Sequence, residues 1–304
     1  MNIFILGKND LAVRCTDIIK KYSDINIVGI SPNNSDIGED EWQMSLLKYA
    51  KNNSLPIYRF NKIKSEESIA VLNKLKIDFM FSFQYDQILS NDVINQSRFG
   101  TINLHFGPLP KYRGVSPIAF ALINGEKEFG VTLHYIDEGV DRGDIINQLF
   151  FNIENVKNSR ELYELCVNKG VELLKKTFNE IISLENKRIP QDNKNALYYS
   201  KGSIDFSNNI LQPNMSTRQL YNWCRAFIFP PFQHPIFVKG NEKFEIVSVS
   251  PDYRKNRFEK PGTIISQKEN YLKIATHDCY LNLIVEKLDS VNLREDIKPR
   301  MSTN

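Results

Sequence analysis

A chain of 304 residues has room for two packed cores. Its 39 basic and 36 acidic side chains, net charge +3, include no run of five like charges of the kind that grips nucleic acid or an anionic membrane surface. No apolar stretch reaches the ~20 residues needed to cross a bilayer. Cys15, Cys166, Cys224 and Cys279 are scattered without a C-x-x-C pair, so neither a metal site nor a disulfide framework is expected. They read as reduced thiols of a cytoplasmic protein.

Residues 3–6 form a short apolar run ending at Gly7, and Asp10 is placed to cap a helix with Leu11, Cys15, Ile18, Ile19 and Tyr22 on one face. Further apolar runs at 25–30, 55–58, 79–83 and 101–104 alternate with helical or loop segments. Continuously apolar strands separated by helices predict a Rossmann-like α/β domain, mostly parallel and covered on both faces. Ligands of such a sheet bind at the carboxyl ends of its strands. Neither G-x-G-x-x-G nor a Walker A loop follows the first strand, which disfavours a nicotinamide or ATP enzyme.

Two more strands, at 130–136 and 145–151, flank the loop DEGVDRGD. Asn158 and Glu161 open a long amphipathic helix reaching about residue 186. Residues 187–214 are polar and irregular, 216–226 predict a short helix, and strands at 236–238, 244–249, 262–265, 271–275 and 281–285 predict a small β-rich unit. The expected organisation is an N-terminal catalytic domain over 1–190, a connector with its short helix over 191–235, and a C-terminal β-rich domain over 236–304.

Asn103 and His105 end an apolar run two residues apart, so both side chains share one face of the sheet. Asp141 lies 36 residues beyond His105, far enough for a helix and a strand to bring it back. A carboxylate beside an imidazole is expected to raise the ring's pKa, and an amide aimed at the same point stabilises an oxyanion. Base plus oxyanion donor points to acyl-type transfer. His134, inside an apolar strand, reads as a packed residue, and Asp144 as a loop cap.

Asn-x-His, then Leu-Pro-Lys-Tyr-Arg-Gly, Gly-Val-Thr-Leu-His and the spaced Asp resemble the formyltransferases that use N10-formyltetrahydrofolate. The resemblance spans residues 1–190 and is specific within 79–144. Phe106-Gly107-Pro108 departs from the Gly-Ser-Leu of many members. The resemblance implies catalytic roles for Asn103, His105 and Asp141 and N10-formyltetrahydrofolate as formyl donor, without a metal. It further implies a pterin site at the backbone of Gln87, Ile88 and Leu89, the turn Gly107, Pro108, Leu109 and Pro110, and the loop Asp137, Glu138, Gly139, Val140 and Asp141. Phe83, Ile88 and Val140 are expected to line an apolar slot there.

Within this family the tRNA enzymes carry a basic loop after the second strand, whereas residues 31–47 here hold Asp36, Glu39, Asp40 and Glu41 and no Lys or Arg. SFQYDQIL, LHFGPLPKYRG and LYNWCRAFIFPPFQHPIFVKG look most like the sugar N-formyltransferases, whose acceptor is a dTDP- or UDP-linked amino-dideoxy sugar. Tyr221 and Arg225 share a helix face and are expected to meet base and diphosphate, with Lys8, Asn9, Asp10 and Lys201 as further contacts. The expected partner is a small nucleotide sugar on the route to a surface polysaccharide, with no nucleic acid or membrane, and the protein is expected to be a homodimer. The rivals are a methionyl-tRNA formyltransferase and a non-catalytic folate- or nucleotide-binding protein.

Overall fold

In the computed structural model, which describes residues 1–256 and 258–288, the apolar runs become the centre of a sheet. The first half of the chain contributes β1 (Asn2–Gly7), α1 (Asn9–Lys20), β2 (Asn26–Pro32), α2 (Leu46–Asn52), α3 (Glu66–Lys74), β3 (Ile77–Phe83), α4 (Asn91–Ile94) and β4 (Ser97–His105). Then come β5 (Arg113–Gly114), α5 (Pro117–Ile123), β6 (Glu128–Tyr135), β7 (Ile145–Asn152) and the long α6 (Ser159–Ile182). The strand order is β2-β1-β3-β4-β6-β7. β2, β1, β3 and β4 are parallel, while β6 runs antiparallel to β4 and β7 antiparallel to β6. β1 and β3 sit in the middle, where Ile3, Phe4, Ile5, Leu6, Phe79, Phe81 and Phe83 are wholly buried. Burial on both faces is what a continuously apolar strand requires.

Two local expectations change. Residues 55–58 do not form a strand: a single bridge joins Ile57 to Ile30, because Pro56 lacks an N–H to extend the ladder. Asp10 does not cap α1. Lys8 holds that position, and the Asp10 carboxylate accepts the Met44 N–H at 2.7 Å instead. α6 starts as expected, with the Asn158 side chain accepting the Glu161 N–H, and stops at Ile182 just before the left-handed Leu184.

Beyond α6 lie β8 (Tyr198–Tyr199), α7 (Thr217–Phe227), β9 (Ile236–Lys239), β10 (Glu242–Asp252), β11 (Ile264–Lys268), β12 (Tyr271–Ala275) and β13 (Tyr280–Leu288). The last five form an antiparallel sheet in the order β11-β12-β13-β10-β9. Residues 289–304, counted with this unit from the sequence, lie outside the described residues. α7 is the seam between the two cores: Leu220 and Cys224 pack with Ile246 and Leu272, while Ala226 and Phe227 pack with the first core. All four cysteines are free and buried. Among the described residues no helix is long and apolar enough to cross a membrane, and no cluster of His, Cys, Asp or Glu has the arrangement of a metal site.

Candidate active site

The antiparallel pairing of β4 with β6 sets Asn103 opposite His134 and His105 opposite Thr132. Asn103 Nδ2 lies 3.1 Å from His134 Nε2, and His134 Nδ1 lies 2.7 Å from the Tyr135 carbonyl. A carbonyl only accepts, so the His134 proton sits on Nδ1 and its Nε2 accepts from Asn103. One N–H of the Asn103 amide is thereby held, and the other is left for a ligand.

His105 is tied at its other nitrogen. Its Nε2 donates to the Tyr112 carbonyl at 2.7 Å, while Nδ1 faces Asp141 Oδ2 at 3.6 Å. The Gly114 N–H donates to the same carboxylate oxygen at 2.8 Å, and Asp141 Oδ1 stands 3.5 Å from His134 Nε2. The tripeptide 112–114 therefore supports both members of the pair. The backbone around the pair is unusual: Tyr112 (φ 62°), Gly114 (φ 91°), Ser116 (φ 55°) and Asp141 (φ 53°) are all left-handed. Each such non-glycine residue costs about 1–3 kcal/mol, which the surrounding contacts must offset. At Gly114 a Cβ would sit 2.1 Å from the Tyr199 carbonyl, and at Gly107 one would sit 2.8 Å from His105 Nε2. Neither position accepts a side chain without moving the site.

The electrostatics differ from the expectation for His105. Burial pushes its imidazole down, Asp141 pulls it up, and burial wins, so the ring stays below its ordinary value. Burial opposes ionisation of Asp141 too. There His105, His134 and the Gly114 N–H outweigh it and hold the carboxyl well below the usual carboxylate range. The result is an ionised carboxylate beside a ring that is a free base at neutral pH.

The loops flanking this centre divide into stiff and exposed parts. Thr132 Oγ1 donates to the Gly107 carbonyl at 2.7 Å and accepts the Leu109 N–H at 3.2 Å, and Gln148 Nε2 donates to the Leu109 carbonyl at 2.8 Å. Leu109 is buried against this frame, and the Leu109–Pro110 peptide is cis. Across the site the Gln87 side chain is committed to the Ile63 N–H and the Phe60 carbonyl, while Ile88 is 81% and Val140 is 42% exposed. Asn91 donates to Glu138, and the Asp137 carboxylate accepts the Gly139 N–H, so these two loops lie side by side. Leu89 packs inward on Val93's cluster. Phe83, expected to line the same slot, is wholly buried in the core and does not reach it. Two shallow concavities lie away from this centre, one against α1 around Val13, Tyr22 and Lys175, the other against α3 around Ile69 and Gln96.

Residues 2–177 match the family model for formyl transferases, and residues 203–290 match that of the formyl transferase C-terminal domain. The chain belongs to the formyltransferase family. A methionyl-tRNA formyltransferase of Staphylococcus epidermidis is 33% identical over 229 residues, 75% of this chain and 72% of that protein. Among solved structures, an N-formyltransferase from Helicobacter canadensis in complex with folinic acid and dTDP-3-aminofucose is 29% identical, with a TM-score of 0.76 over 94% of this chain and 99% of that one. A sugar 3N-formyl transferase solved with dTDP and 5-N-formyl-THF is 31% identical, with a TM-score of 0.75 over 95% and 98%.

The residues expected to meet a nucleotide sugar fare unevenly in this formyltransferase. Lys8, Asn9 (φ 62°) and Asp10 sit at the carboxyl end of β1, with Asp10 partly spent on Met44. Lys201 is exposed in the turn after β8, and Tyr221 is half-buried on α7. Arg225 does not present a free guanidinium. It is 4% exposed, its guanidinium donates to the Val156 carbonyl at 2.8 Å and to Asn222 Oδ1 at 3.0 Å, and it stacks over Tyr221 at 4.6 Å. Both residues do share a helix face, but that face looks into the seam, where the cation braces α7 against the segment before α6. His134 is packed and hydrogen-bonded, as its place in an apolar strand suggests. The sequence shows it in a strand, and only the β4–β6 register reveals that it stands beside Asn103.

Proposed function

We propose that this formyltransferase moves a formyl group from N10-formyltetrahydrofolate to the amine of a dTDP-linked, or UDP-linked, amino-dideoxy sugar, for surface polysaccharide (O-antigen) biosynthesis. The observation that carries the reading is the convergence of Asn103, His105 and Asp141 in a fold similar, over 94% of this chain, to the N-formyltransferase solved with dTDP-3-aminofucose. The exposed apolar side chains of Ile88 and Val140 on adjoining loops suit a pterin ring, whose polar edges would meet the backbone of 87–89, 107–110 and 137–141.

The bound folate supplies an electrophilic formyl carbon. The free N–H of the Asn103 amide, fixed by His134, offers a hydrogen bond to the negative charge that develops on the formyl oxygen. His105 takes the proton of the attacking amine as the amine nitrogen bonds to the formyl carbon, and returns that proton to N10 as the N10–formyl bond breaks and tetrahydrofolate leaves. While the ring is protonated, Nε2–H keeps the Tyr112 carbonyl and Nδ1–H meets Asp141, so both N–H groups of the imidazolium have an acceptor.

A second reading is favoured by the Staphylococcus relative: the acceptor would be the amine of methionyl-tRNA. Against it stands the loop between β2 and α2. Its Asp36 accepts from Gly38 N, Ser45 Oγ and Leu47 N, and its Asp40 from Ser45 N and Lys48 Nζ, so the acids stiffen a loop with no cation of its own for a phosphate backbone. Offering a panel of dTDP- and UDP-amino sugars with N10-formyltetrahydrofolate, and reading formyl mass gain by mass spectrometry, tests the proposal. No gain on any member would refute it.

A further inference from the structure

Residues 187–214 look like a bare connector in the sequence, yet part of this segment is threaded through the active site. Gln191 Nε2 donates to two carbonyls of the loop that carries the carboxylate, Asp141 O at 2.9 Å and Gly143 O at 2.8 Å. Its Oε1 accepts both Nη2 (2.7 Å) and Nε (3.0 Å) of Arg113. The third arm of that guanidinium, Nη1, donates to Asn193 Oδ1 at 3.0 Å, and the Arg113 side chain is 4% exposed. Five residues beyond Asn193, β8 pairs with β5, Arg113 with Tyr198 and Gly114 with Tyr199. Tyr199 stacks on Tyr112 at 5.6 Å, and Asn124 bridges their two hydroxyls.

These contacts converge on the two pieces of backbone the reaction needs held. Arg113 lies between Tyr112, whose carbonyl receives the His105 proton, and Gly114, whose N–H holds the Asp141 carboxylate. Asp141 itself is left-handed, a conformation that costs a non-glycine residue about 1–3 kcal/mol. The chemistry of the clamp selects glutamine. Only a side-chain amide offers two N–H donors to two carbonyls and one oxygen to a guanidinium fork.

We propose that Gln191, braced by Arg113, is a positioning residue of the formyl-transfer site that holds Asp141 against His105. This rests on the assignment of Asp141 and His105 proposed above. The connector is then part of the catalytic apparatus, and the C-terminal half of the chain is coupled to the chemistry through it.

The test is a double-mutant cycle on the full-length enzyme. Gln191→Met keeps the volume and removes every hydrogen bond, and Gln191→Glu keeps the acceptor for Arg113 and sets a carboxylate against the two carbonyls. Either variant should lower kcat by up to roughly 10²-fold, the scale of a catalytic group displaced by about 1 Å, with KM for folate and acceptor changed by less than about twofold. In an Asp141→Asn background the same substitution should lower kcat no further. The same fold-loss in both backgrounds, or an unchanged kcat with only a lowered Tm, would overturn the proposal. Wild-type turnover by Asp141→Asn alone would instead remove the catalytic assignment beneath it.

Discussion

The Nδ1 atom of His105 faces the Asp141 carboxylate across 3.6 Å while the opposite ring nitrogen gives its proton to the Tyr112 carbonyl at 2.7 Å. In the neutral ring Nδ1 is a lone pair turned toward an anion, and the gap is too wide for a hydrogen bond. A proton arriving at Nδ1 converts that contact into a charge-assisted one. In the proposed mechanism this pair receives a proton transiently.

His105→Asn should therefore lower kcat by about 10² to 10⁴, the range of general-base help. Asn103→Ala should lower it by about 10² to 10³, the worth of one oxyanion donor. Tetrahydrofolate release under saturating substrates checks both, with circular dichroism to show that each variant folds.

The pH profile follows from the direction of the His105 shift. Burial holds the imidazole below its ordinary value of about 6.5, so the free base is already formed at neutral pH. The His105 limb of kcat/KM should rise with pH, centred below about 6.5, and should contribute no further rise above that. In Asp141→Asn the attraction that opposes burial is gone, so the limb should move to still lower pH. Stability has the same sign. The unfolded chain protonates its histidine first, so stability is present above about pH 6.5 and falls as acid is added, and protonation of Asp141 removes more at lower pH.

His134→Leu tests the support of Asn103. Without Nε2 the amide is free to turn, and kcat should fall up to roughly tenfold, the value of one net hydrogen bond, with KM little changed. The orphaned Tyr135 carbonyl should cost about 1–3 kcal/mol of stability, read in denaturant melts.

Arg225→Met should behave as a core substitution. The Val156 carbonyl loses its donor, so stability should fall by about 1–3 kcal/mol. Affinity for dTDP, measured by titration calorimetry, should be unchanged.

How much of this the sequence discloses depends on where each residue's partner comes from. β1 and β3 are legible because strands buried on both faces must be apolar throughout, and the Asn103–His105 relationship is legible because the strand period is two. β5 and β8 are two residues each in polar surroundings and carry no periodic signal. Residues 55–58 have the composition of a strand, and Pro56 removes the ladder that would make them one. His134 needed the register of β6, and Arg225 needed the side toward which α7 packs. Helical spacing fixes which residues share a face and is silent on what that face meets. The balance at His105 was misjudged because a neighbouring carboxylate can be named from sequence, while the depth of burial that opposes it cannot.

The most direct test compares kcat/KM of the wild-type enzyme for dTDP-amino-dideoxy sugars and for charged initiator tRNA, with N10-formyltetrahydrofolate as donor in the same buffer. An N-formylated nucleotide sugar should form at a rate that tRNA does not approach. Formyl-methionyl-tRNA as the favoured product, with no formylated sugar, would contradict the proposed function.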